Sequence, residues 1–100
     1  MKLAQVVGTV VSTHKEPSLT GTKFLLVQIL DETGKLTSEY QVAADSIGAG
    51  LTEVVLVTQG SGARQLSAQE HRPIDALIVA IVDTVASGND LIYSKRESSR

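Results

Sequence analysis

Residues 76–82 read Ala-Leu-Ile-Val-Ala-Ile-Val, and residues 53–57 read Glu-Val-Val-Leu-Val. Neither run alternates. An antiparallel strand with one face on a core and the other in water alternates apolar and polar residues, because successive side chains point to opposite faces. Both runs therefore predict strands whose outer faces are covered. A chain of 100 residues suffices for one domain and one core, with no second layer of helices to supply the cover. Two covers are open: another copy of the same chain, or the short helix or carboxyl-terminal segment of this one. Burying one outward Val or Ile contributes about 1.5–3 kcal/mol, so several on one face would hold a permanent oligomer.

The rest of the chain is punctuated for an all-β fold. Lys2 to Ser12 reads as the first strand, with Gly8 marking a bulge or a close backbone approach. A polar loop containing Pro17 and Gly21 leads to a second strand, Lys23 to Leu30. Asp-Glu-Thr-Gly-Lys at 31–35 is a hairpin turn in which Gly34 supplies the positive φ, and Leu36 to Ala43 returns as the third strand. Glu53 to Thr58 is the fourth and Ala76 to Val85 the fifth. The stretch between them, before Pro73, is expected to hold one short helix. Five strands and one short helix predict a small OB-like barrel. Residues 91–100 are charged and expected to form a partly mobile tail.

Composition closes off several functions. Hydrophobic residues are 42% and charged residues 20%, which sets the chain apart from disordered sequences. With Lys and Arg at 9 against Asp and Glu at 11, and aromatics at 3%, neither the basic groove nor the stacking platform of a nucleic-acid barrel is supplied. The absence of cysteine removes disulfides, thiolate metal sites and a thiol nucleophile, and is compatible with a reducing cytoplasm. The opening Met-Lys-Leu-Ala-Gln-Val-Val-Gly-Thr is too short and too polar for a signal peptide or membrane span.

The segment Asp-Ser-Ile-Gly-Ala-Gly-Leu-Thr-Glu-Val-Val-Leu-Val-Thr-Gln-Gly-Ser-Gly-Ala-Arg, residues 45–64, invites three chemical readings. A dinucleotide fingerprint needs a third glycine where Glu53 stands and a helix where a strand follows. A Walker-type loop needs Gly-Lys-Ser/Thr, which does not occur. A serine elbow needs Gly-x-Ser-x-Gly, and Ser61 follows Gly60 one position too soon. Asp45 can cap the turn into Gly48 or pair with a cation such as Arg64 or Arg72 across an interface. The guanidinium fork of Arg64 suits carboxylates or carbonyls, although a solvated arginine is equally compatible. His14 and His71 have no close partner in sequence, and Asp75 and Asp83 flank the fifth strand too far apart to act on one bond.

The same segment resembles the signature of the bacterial microcompartment vertex proteins, the CcmL/EutN family. There an Asp-x-x-Gly-Ala-Gly turn leads into a valine-rich strand and a Gly-Ser-Ser-Ala-Arg loop. Residues 6–13, 19–28 and 72–85 are similar to its first hairpin and last long strand, and 91–96, Leu-Ile-Tyr-Ser-Lys-Arg, is most like the carboxysome branch of cyanobacteria. One departure stands out: Gly62 replaces the family's serine.

The resemblance implies one vertex domain over residues 1–100, an OB-like barrel assembling as a pentameric ring that caps the vertices of a polyhedral carboxysome shell. The partners implied are four further copies of the chain, hexameric shell proteins and shell-organising carboxysome proteins, with no nucleic acid, membrane, metal or cofactor and no catalysis. The location implied is the cytoplasm, within the shell. Placed by the matching motif, Asp45, Gly48, Gly50, Gly60, Ser61, Gly62, Ala63 and Arg64 are expected at the subunit contact and ring axis, supported by Arg72, Pro73 and Asp75. A small solute- or nucleic-acid-binding module and a vertex protein of a non-carboxysome microcompartment are the alternative readings.

Overall fold

The computed structural model describes residues 1–60 and 74–98. Five strands close into a barrel: β1 (Lys2–Val10), β2 (Lys23–Leu30), β3 (Leu36–Asp45), β4 (Val54–Gln59) and β5 (Ala76–Ile81). Their order around the barrel is β1-β2-β3-β5-β4, with β1 pairing back to β4. Neighbours are antiparallel except β3 and β5, which run parallel through Ala44 opposite Leu77 and Asp45 opposite Ile78. That order is the Greek-key closure of an OB-type barrel, as the strand spacing predicts. The helix expected before Pro73 lies outside the described residues.

Alternation in β2 sets the inside of the barrel. Leu25, Val27 and Ile29 point inward and meet Ala4 and Val6 of β1, Ala43 of β3, Val55 and Val57 of β4, and Ile78 of β5. Between Val6 and Gly8 the register of β1 against β2 slips by one residue, which is the bulge expected at Gly8. The β2–β3 turn is held by the Asp31 carboxylate, which accepts from the Thr33 hydroxyl and from the amides of Thr33 and Lys35. Those bonds hold Asp31 below the ordinary carboxylate pKa, the Thr33 hydroxyl contributing most. Gly34 takes φ +84, in the left-handed region.

The unalternating strands are indeed buried on both faces over part of their length, and part of the cover comes from the chain itself. Outside the barrel, Leu77 is buried in a second cluster with Ala44 and Ile74, against which Leu19, Phe24 and Val79 pack. Val54 and Thr58, outward on β4, are also buried, whereas Leu56, Val79 and Ala80 are half-buried. Exposed apolar residues include Val7 and Val10 of β1 and Leu36, Tyr40 and Val42 of β3.

The fifth strand does not continue to Val85. It ends at Ile81, where the Val82 amide donates to the Val54 carbonyl, and the chain turns at Asp83 into a separate hairpin of β6 (Thr84–Ser87) and β7 (Asp90–Ser94). A single helical turn, α1 (Lys95–Ser98), follows. Most of the stretch assigned to a tail from sequence is thus regular structure. Contacts among the described residues tie the hairpin and the helical turn after it to the barrel. The Lys95 ammonium meets Glu53 at 2.7 Å, and the Ile92 side chain lies where a Cβ on Gly34 would stand, 2.5 Å from that position.

Candidate functional site

Asp45 ends β3 with its side chain fully enclosed, and its carboxylate accepts three consecutive amides: Ile47 at 3.1 Å, Gly48 at 3.2 Å and Ala49 at 2.9 Å. An ionised carboxylate with several backbone donors is a strong cap, because charge-assisted bonds are about twice as strong as neutral ones. Gly48, at φ +85, supplies the left-handed residue this tight winding needs. Lys23 stands nearby, its ammonium 3.7 Å from Asp45 and 3.5 Å from the Ala49 carbonyl. The turn cap open to Asp45 from sequence is thus present, while Arg64 and Arg72, its candidate cations, lie outside the described residues.

The turn then closes over the barrel end. Ala49 is buried within the core cluster. The Gly50 amide donates to Glu53 Oε1 at 2.6 Å, so each amide from Ile47 to Gly50 is bonded to a carboxylate of the same turn. This excludes the phosphate cradle on geometry: those amides already have an anion. Thr52 holds φ 71, costly for a β-branched residue. It is fixed from both sides by β1, its amide donating to the Val6 carbonyl and its carbonyl accepting from Gln5 Nε2.

Glu53 uses its second oxygen on Lys95. Glu53 is held below the ordinary carboxylate pKa, first by the Lys95 bond and next by the Gly50 amide, and Lys95 is raised chiefly by the same bond. A carboxylate depressed on folding stabilises above its unfolded pKa and loses that contribution as pH falls through the folded one. A lysine raised on folding stabilises below its unfolded pKa and loses the contribution as pH rises through the folded one. The pair is therefore intact between the ordinary values of 4.5 for Glu and 10.5 for Lys, and acid opens it only below the first of these. Both groups are part exposed, so the pair orients the hairpin more than it stabilises the barrel.

Gly60 and Asp75 belong to a different place. They face each other where β4 ends and β5 begins, the Gly60 amide donating to the Asp75 carbonyl at 2.8 Å, with Gly60 at φ +63. Beside them Gln59 Nε2 donates to Gln41 Oε1. The six-residue β4 separates this neck from the Asp45–Gly50 turn, so the structure brings Asp45, Gly48 and Gly50 together at one barrel end and Gly60 with Asp75 at the other. Ser61, Gly62, Ala63, Arg64, Arg72 and Pro73 lie outside the described residues.

Sequence reasoning passed over the outer face of β1, β2 and β3. The registers place Val10, Phe24 and Ala44 in one outward row, Gly8, Leu26 and Val42 in the next, and Gln28 and Tyr40 in the row beyond. Tyr40 is 53% exposed, Val42 45%, and Val7 and Val10 38% each. The signal was present as Tyr40 and Val42 at a spacing of two in β3.

The chain is similar to known proteins over most of its length. The family model described as "Ethanolamine utilisation protein EutN/carboxysome" matches residues 1–83. The carboxysome shell vertex protein CcmL of Synechococcus elongatus is 56% identical over 99 residues, covering 99% of this chain and 100% of the relative. The solved structure of Gloeobacter violaceus CcmL superposes with a TM-score of 0.92 at 52% identity, over 96% of this chain and 99% of that one. The pentameric microcompartment shell protein GrpN from Rhodospirillum rubrum gives 0.80 at 48% identity, over 89% of this chain and 100% of that one.

Proposed function

The chain belongs to the EutN/CcmL family, and from that premise we propose that it is a structural shell protein, a pentamer that caps the vertices of a polyhedral carboxysome shell. The observation that carries this reading is the likeness to carboxysome vertex proteins from end to end, in sequence and in barrel geometry alike. The carboxysome branch is favoured over other microcompartments by the higher identity to CcmL, 56%, than to GrpN, 48%.

The mechanism is geometric. A flat lattice of hexameric tiles cannot close on itself, and fivefold units inserted into it supply the curvature that does. A ring of identical heterologous contacts closes only when the rotation per subunit divides the circle, so the angle between neighbours is the functional quantity. Rigid barrel ends fix that angle. Asp45, Glu53 and Lys95 lock the turn, barrel and hairpin into one body, and we read the Asp45–Gly50 turn and the Gly60 and Asp75 neck as its contact ends, with residues 1–100 forming one vertex domain. In this reading the chain does no catalysis, its partners are its own copies and hexameric tiles, and it resides in the shell.

Native mass spectrometry across a dilution series tests the ring. Five chains of 10.6 kDa give about 53 kDa, which should persist as the protein is diluted. A stable monomer or dimer would overturn the pentamer and bring the solute-binding barrel forward.

A further inference from the structure

Among the described residues nothing requires glycine at position 8. Gly8 does not adopt positive φ, and a Cβ built on it meets Leu26 at 3.7 and 3.9 Å, ordinary contact distances. The bulge beside it does not require glycine either, since the variant that does places that glycine in the left-handed region. A glycine within a strand is less stable than alanine, and one source of such a choice is another backbone approaching closely.

The surroundings favour that source. Gly8 stands at the edge of the outward apolar face of the barrel, with Leu26 beside it and Val42 beyond Leu26 in its row, and Val10 in the next. β1 pairs with β4 only from Lys2 to Gln5, so Val7–Val10 has β2 on one side and no strand among the described residues on the other. An apolar strand edge left unpaired invites another chain, and soluble proteins normally blunt such edges with charge. No charged residue interrupts Val6–Val11.

We infer that this face, running from Gly8 and Val10 at its edge through Leu26 to Val42, receives a neighbouring copy of the chain, and that the missing side chain at Gly8 lets the neighbour's backbone approach. The inference rests on the pentameric reading, which supplies the occupant: a ring of identical subunits must present each copy with a surface of another, and a relative at 48% identity is pentameric. The surface is distinct from the motif residues at the two barrel ends.

The test compares unmodified protein with Gly8→Val and Val42→Glu by native mass spectrometry over the same dilution series, with far-UV circular dichroism to verify folding. Valine at position 8 suits an extended strand and meets only Leu26 among the described residues, so the variant should fold. Val42 is already exposed, and its replacement provides a second folded probe. Loss of the five-subunit species at concentrations about tenfold or more above those at which the unmodified ring dissociates, in either folded variant, supports the inference. Retention of the ring by both variants overturns it, and if shells then fail to close, the face belongs to a neighbouring tile instead. Should the unmodified chain itself form no ring, the pentameric reading fails and this inference falls with it.

Discussion

Asp45→Ala is expected to lower the stability of the folded protein by about 3 kcal/mol, measured by urea denaturation at fixed protein concentration. Alanine removes the acceptor for three amides at once. Those of Ile47 and Gly48 can turn to water, since both residues are exposed, but Ala49 is sealed in the core and its amide has nowhere else to go. An unpaired buried donor costs about 1–3 kcal/mol, and the lost charge-assisted bonds of its neighbours add to it. Asp45→Asn should be milder, since one carbonyl oxygen remains to accept. If Asp45→Ala left the urea midpoint unchanged, the turn would not depend on its carboxylate.

Gly34→Val should be comparably damaging for a different reason. A β-branched residue at φ +84 meets backbone strain of about 1–2 kcal/mol, and its Cβ would stand 2.5 Å from Ile92 Cγ2. Overpacking of that kind typically costs a further 1–3 kcal/mol, for a total of about 3 kcal/mol, unless the hairpin moves away. A double-mutant cycle with Ile92→Ala separates the two parts. The steric part should be relieved in the pair while the backbone part remains; additive losses would mean that β7 does not bear on the β2–β3 turn.

What could be read from the sequence was whatever is local. β2 has the bounds that its apolar run predicts, Lys23 to Leu30, and the Asp31–Lys35 turn forms around Gly34 as its composition requires. The bulge at Gly8 was legible because one residue lacked a side chain among Val6, Val7, Thr9 and Val10. The break after Ile81 was not, because the apolar run continues through Val82 and the chain departs only where Val82 pairs with Val54 and Asp83 with Lys95. The hairpin beyond it did carry a local signal, Gly88-Asn89 between two short runs, which the charged tail obscured. The Glu53 and Lys95 pair spans 42 positions, and no spacing rule reaches that far. The cover on Leu77 is likewise non-local, drawn from Leu19 and Phe24 at the other end of the chain. At the site, sequence offered Asp45 a turn cap or a cation, and the three amides show the cap.

The most direct test of the account is shell closure. A cyanobacterial strain deleted for its own vertex protein, supplied with this chain and viewed by electron microscopy, should form closed polyhedral carboxysomes. Shells that stay open or elongated although the chain is present as a five-subunit ring would contradict the vertex assignment.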